Sequence, residues 1–178
     1  MPENPGETVL RTLRRTRQIR QFTGVPVDEQ ALQSILEVAR WTGSSMNQQP
    51  WTFIVIRDAA IRTRIGEVSR YARHVRHAPL AIAIAMRGED AEGETYDEGR
   101  AAERILIAAT ALDLGAGIGW VEGESQAETH RLLGIEPPAF VRTIVSVGHP
   151  TDAARQPRSG PGTGRRPLAE IVRDVGGG

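Results

Sequence analysis

The 178-residue chain contains no cysteine. Disulfides, thiol nucleophiles, iron–sulfur clusters and cysteine-based zinc sites are therefore excluded. Lysine is absent too, since all 22 basic residues are arginine. That removes Schiff-base chemistry, a pyridoxal anchor and a Walker A phosphate loop. Aromatics are scarce at 4% and the formal net charge is zero, so neither the basic field nor the stacking rings of a nucleic-acid binder are present. Long apolar runs are also missing. The longest, Ala78 to Met86, falls far short of the roughly 20 residues that cross a bilayer. Met1 to Leu10 lacks the basic-then-apolar order of a signal peptide. The expectation is a soluble, cytoplasmic protein with one domain over 1–178, in which 1–7 and 175–178 are flexible ends. Catalysis must come from Arg, His, Tyr, acids, hydroxyls, the backbone or a borrowed cofactor.

The charge that is present is segregated. Leu10 to Phe22 holds five arginines and no acid, and Thr151 to Ala169 holds four arginines against Asp152 alone. Gly88 to Glu103 carries seven acids against Arg100. Two basic ends around an acidic middle suit an anion site built from both termini, or equally a set of solvated surface charges.

Hydrophobic spacing predicts five helices and four strands. Thr8 to Arg15 reads as a short amphipathic helix. Asp28 caps a second, with Leu32, Ile35, Leu36 and Ala39 on one face and Gly43 ending it. Trp51 to Ile56 reads as a buried strand, and Asp58 opens a helix facing Ile61, Ile65 and Val68 inward. Ala78 to Met86 is a second strand, followed by a surface loop over Gly88 to Glu94. Gly99 to Leu114 is apolar almost all round, which predicts a central buried helix stopped by Gly115. Gly117 to Val121 is a short strand. Ser125-Gln126-Ala127-Glu128 fits a capping box for a helix ended by Gly134. Val141 to Val147 is the last strand, 148–167 an extended tail, and Leu168 to Val172 a final short element. Two helices precede any strand, so the class is α+β, one sheet covered by helices on both faces.

Four segments can carry chemistry. In Thr16-Arg17-Gln18-Ile19-Arg20-Gln21-Phe22, a helix end or tight turn would let Arg17 and Arg20 fork onto one anion. The same spacing also suits a plain basic surface helix. Ser44-Ser45-Met46-Asn47-Gln48-Gln49-Pro50 packs hydroxyls and amides before a strand, either to read a polar ring edge or to satisfy buried backbone. Glycines in Gly117-Ile118-Gly119 admit a close backbone or a flat ligand. Arg165 and Arg166 form a basic knot near the C-terminus. His74 and His77 stand among Arg70, Arg73 and Arg76, whose field opposes a metal cation, so no metal is expected. Gly115 to Gly119 has the wrong spacing for a dinucleotide fingerprint.

Taken in order, the 16–22 segment, the run Trp41-Thr42-Gly43-Ser44-Ser45-Met46-Asn47-Gln48-Gln49-Pro50-Trp51, Gly99-Arg100-Ala101-Ala102, Gly148-His149-Pro150 and Arg165-Arg166-Pro167-Leu168 resemble the FMN-dependent nitroreductase family. The resemblance runs from about Leu10 to Val172. It implies a three-layer αβα sandwich around a mixed or antiparallel sheet, and a homodimer with FMN at the interface. It also implies a ping-pong reaction in which NADPH or NADH passes hydride to flavin N5 and a quinone, nitroaromatic or other activated acceptor collects the electrons. Thr16, Arg17, Gln18 and Arg20 would contact the flavin, with Arg165 and Arg166 toward its phosphate. Arg20 would also stabilise charge on the reduced ring. Ser44, Ser45, Asn47 and Gln49 match the loop that lines the flavin and reaches the partner's cofactor, and Glu122-Gly123 matches a position along the ring. Relative to the family, Thr16 stands where an arginine is common and Gln18 where a serine is common. The same scaffold supports flavin destruction, reductive dehalogenation or FMN binding without turnover as alternatives.

Overall fold

The computed structural model describes residues 4–156 and 164–176. The expected flexible ends 1–3 and 177–178, and Arg158 of the basic tail, lie outside the described residues. Helix α1 spans Pro5–Arg15, so residues 5–7 are helical, with the Asn4 side chain accepting from the Gly6 amide. Helix α2 (Glu29–Arg40) is capped by Asp28 and α3 (Ala59–Val68) by Asp58, as the sequence predicts. Strand β1 (Trp51–Ile56), β2 (Leu80–Met86), β3 (Gly115–Trp120) and β4 (Phe140–Gly148) form one sheet in the order β1-β2-β4-β3. Every pairing is antiparallel. Helix α4 (Ala91–Ala111) and α5 (Gly123–Leu133) complete the layers, and the tail carries one-turn helices α6 (Asp152–Arg155) and α7 (Leu168–Ile171).

The period-2 pattern of β2 sorts the two cores. Leu80, Ile82, Ile84 and Met86 pack with α2 and α4 residues such as Ile35, Ala101 and Ile105. The alternate Ala81, Ala83 and Ala85 face Ile65 of α3, Val75 and Val121. Large side chains meet the long central helix and small ones admit a closer opposite layer, giving the αβα sandwich.

Several expectations change. Strand β1 is an edge strand, and of its six residues Ile56 alone is fully buried. Gly43 does not end α2, which stops at Arg40 with Trp41 as its cap. Gly88 to Glu94 is a loop only as far as Asp90, because the buried Glu94 carboxylate collects the amides of Gly88, Glu89 and Asp90 and folds that stretch into the start of α4. Gly115 opens β3 instead of stopping the helix; Leu112 caps α4. The capping box lies one turn earlier than expected: the Glu122 amide donates to Ser125 Oγ. Glu128 turns outward to Arg64 and Arg131 at 3.0 and 2.8 Å, and these contacts hold its carboxyl down at about 2. The tail is not wholly extended, since Thr151 caps α6.

Candidate functional site

Residues 17–22 are extended and lie along β3. The Ile19 amide donates to the Ala116 carbonyl at 2.8 Å, and the Ile118 amide donates to Gln18 Oε1 at 2.7 Å. Phe22 bridges to Pro150, and the Thr23 amide reaches the His149 carbonyl. Gly117 permits this approach, because a Cβ there would collide with the Ile19 backbone. The close partner that the strand glycines admit is thus the protein's own backbone. An extended segment separates residues three apart by about 10 Å along the chain, and Arg17 and Arg20 line two different clefts. The expected convergence of both guanidinium groups on one anion is therefore not what the fold provides.

The first cleft measures about 860 Å³ and lies between the end of α1, the tail and α4. Arg14, Arg15 and Arg17 reach it from the N-terminal side, Arg155 and Arg165 from the C-terminal side, with Thr16 and Gln18 between them. Five arginines there face two acids, Glu103 and Asp113. Arg15 lies 3.6 Å from Asp113. Arg17 Nη2 donates to the carbonyls of Ala154 (2.6 Å), Arg155 (3.0 Å) and Gln156 (3.1 Å), so this side chain ties α6 to the N-terminal segment. The two basic ends of the chain meet here.

The second cleft, about 750 Å³, lies at the far end of β3. Arg20, His74, Ile118, Arg70, Tyr71, Arg73, Trp120 and Glu122 line it. His74 is buried. Its Nε2 lies 3.3 Å from the Ile118 carbonyl and its Nδ1 lies 2.8 Å from Ser146 Oγ. Burial, reinforced by the nearby Arg20 charge, pulls the imidazole down to about 4 against the Ile118 hydrogen bond. The ring is therefore neutral at pH 7, held between the Ile118 carbonyl and Ser146 Oγ, and that hydroxyl itself donates to the Gly117 carbonyl at 3.1 Å. Arg20 Nη2 approaches the same Ile118 carbonyl at 3.5 Å. Residue 118 thus joins the clefts, with its amide bound to Gln18 of the first and its carbonyl facing Arg20 and His74 of the second.

Other expected site residues lie elsewhere. Ser44, Ser45, Asn47 and Gln49 line neither cleft. Ser44 Oγ accepts the Gln49 amide at 2.8 Å around a 3-10 turn over Ser45–Asn47. Met46, Asn47 and Gln49 all have positive φ, a conformation that costs a non-glycine residue about 1 kcal/mol or more. Ser45, Met46, Asn47 and Gln49 are exposed. Gly123 opens α5 beside Glu122, and Arg166 is exposed outside both clefts. His130 lies outside both clefts: its Nε2 accepts the Val141 amide at 2.8 Å and joins α5 to β4. Arg70, Tyr71, Arg73, His74 and Trp120 were not expected in a site. The run of arginines and histidines from 70 to 77 was the available signal.

Comparison with known proteins agrees with this architecture. The Nitroreductase family model matches residues 13–72. An Archaeoglobus fulgidus protein named as an NADH dehydrogenase/NAD(P)H nitroreductase is 30% identical over 155 residues, covering 82% of this chain and 87% of that one. A Bacillus subtilis protein named FMN reductase [NAD(P)H] is 27% identical over 173 residues, covering 84% and 69%. A nitroreductase structure from Desulfovibrio desulfuricans in complex with FMN is 31% identical, covers 97% of this chain and 98% of that one, and superposes with a TM-score of 0.77. With its antiparallel sheet, two helical layers and basic N-terminal segment laid along β3, the chain belongs to the nitroreductase family.

Proposed function

We propose that the protein is an FMN-dependent NAD(P)H oxidoreductase that passes electrons to a quinone, nitroaromatic or other activated acceptor. The observation that carries this reading is the junction at Ile118, where a polyarginine cleft and a second cleft with a buried neutral imidazole meet on one strand. The donor set fits FMN. A phosphate dianion needs several cationic forks, and the first cleft offers five arginines against two carboxylates. Thr16, Arg17, Gln18 and Arg165 would hold the phosphate-bearing end there, and Arg166, just outside, would add to the field. The redox chemistry, hydride in from a reduced nicotinamide and electrons out to the acceptor in alternating half-reactions, is supplied by the flavin when bound.

The chain's own part is binding and charge placement. Arg20 in the second cleft would provide a fixed positive charge for the pyrimidine end of a bound flavin, as preorganised donors do for developing anions. His74, held neutral, keeps Ile118 and therefore Gln18 in register. Glu122 and Gly123 border the same cleft from the start of α5. A second copy of the chain is assigned to Ser44, Ser45, Asn47 and Gln49, whose strained, mostly exposed loop serves neither cleft of its own subunit. The relative named FMN reductase [NAD(P)H] and the FMN complex of the Desulfovibrio protein support the cofactor and donor.

The test is an anaerobic absorbance spectrum of purified protein before and after NADPH, then NADH. A flavin spectrum bleached by either nucleotide is expected. Absence of flavin after reconstitution with FMN would overturn the reading. In the holoprotein, Arg20→Ala should lower the flavin reduction potential and slow its reduction, and an unchanged potential would remove Arg20 from that role.

A further inference from the structure

We propose that Arg70 and Arg73 make the second cleft selective for a substrate that carries an anionic group beside a planar ring. This rests on the oxidoreductase reading above and names the substrate class for that site. The anionic group belongs either to the acceptor, as a carboxylate, or to the nicotinamide donor, as a phosphate.

Several surface arginines in this chain find acids, such as Arg40 with Glu37 at 2.6 Å, Arg57 with Glu29 at 2.6 Å and Arg131 with Glu128 at 2.8 Å. Arg70 and Arg73 do not. Among the described residues neither has a carboxylate within ion-pair distance, although both line a cleft that also holds Arg20. With Arg20 assigned to the flavin, Arg70 and Arg73 face the single carboxylate of Glu122, an excess of one positive charge that the neutral His74 neither adds to nor relieves. Like charges held together without counterions favour an anionic ligand.

The rings supply the second half. Tyr71 is 51% exposed and Trp120 37% exposed, and each already carries an arginine on its ring: Arg70 at 5.5 Å from the Tyr71 centroid, Arg142 at 5.7 Å from that of Trp120. Exposed rings bordering a cleft offer stacking surface to a planar molecule. The turn that bears Arg70, Tyr71 and Arg73 is fixed. Ser69 Oγ donates to the Trp120 carbonyl at 2.9 Å and accepts the Ala72 amide at 3.2 Å. Gly119 lets Ala72 sit directly against β3, where a Cβ would lie 2.7 Å from that of Ala72. Arg70 and Arg73 thus project from a segment clamped to the strand, so their charge is pre-positioned.

The discriminating experiment uses the holoenzyme with 4-nitrobenzoate and its neutral isostere 4-nitrobenzamide. The readouts are kcat/KM for each and, separately from turnover, the Kd of each by calorimetry. The charged-to-neutral selectivity ratio should fall about tenfold in Arg70→Gln/Arg73→Gln, as expected for two exposed charge contacts, and should fall similarly for the wild type in high salt. Arg73→Lys should restore part of it. A parallel arm compares NADPH with NADH in the reductive half-reaction; a loss of discrimination confined to that arm assigns the anion to the donor's phosphate and still supports the proposal. Unchanged ratios in both arms, in an enzyme that reduces 4-nitrobenzamide, would overturn it while leaving the oxidoreductase reading intact. If wild-type holoenzyme reduces neither acceptor, the nitroaromatic acceptor is what fails, and the Kd ratio then decides this proposal alone.

Discussion

The imidazole of His74 links stability to pH. In the unfolded chain it titrates near 6.5, and in the fold it is pulled down to about 4 by burial and by Arg20. The folded protein therefore binds fewer protons than the unfolded chain between those values. Its stabilising contribution is complete above pH 6.5 and is lost as pH falls through about 4, by about 3 kcal/mol in total. Urea unfolding followed from about pH 7 to 4.5 should show this slope in the wild type and lose most of it in His74→Gln; parallel slopes would show that His74 is not the titrating group. At this scale the sequence was informative where chemistry is local. Asp28 and Asp58 cap the helices they were expected to cap, and the arginines of both ends do share a cleft. His74 was illegible, because its partners Ser146 and Ile118 are 72 and 44 residues away. Arg17 was read for an anion, yet one of its nitrogens holds three tail carbonyls.

At the scale of elements, β-branched and apolar runs located β1 and β2, although β1 lies at the sheet edge and not at its centre. Composition gave no such signal for 16–22, which has no apolar period and is extended only because β3 offers it partners. The Ser125–Glu128 spacing mimicked a capping box, but Arg64, 64 residues earlier, claims Glu128. The seat of the 17–22 segment makes an element-level prediction. Gly117→Val puts side-chain atoms where the Ile19 backbone lies, so the segment must lift from β3. Both clefts lose a wall together. The variant should melt earlier than the wild type and bind less FMN even when FMN is in excess, as read by differential scanning fluorimetry and flavin absorbance. A variant with full flavin occupancy would show that the segment does not organise the site.

For the whole molecule, zero net charge conceals a local division: eight arginines line the two clefts against the acids Glu103, Asp113 and Glu122, while α4 carries five acids against Arg100 and Arg104. Met46, within the strained loop proposed to face a second subunit, is 85% exposed, and Trp41, just before that loop, is 67% exposed. Sedimentation should give twice the 19.4 kDa chain mass, and Met46→Asp should weaken that dimer and its flavin binding together; a monomeric wild type would remove the loop from the site. The latch on β3 also has a bearing on solubility. Without it, the outward-facing groups of Ala116 and Ile118 would form a bare sheet margin, the kind of template on which chains stack into aggregates. Ile19, Gln18 and His74 occupy those groups, so the same residues that would seat a cofactor keep the strand from recruiting its neighbours. Any change that empties the site by loosening this segment also unmasks an adhesive edge, and precipitation would accompany loss of flavin.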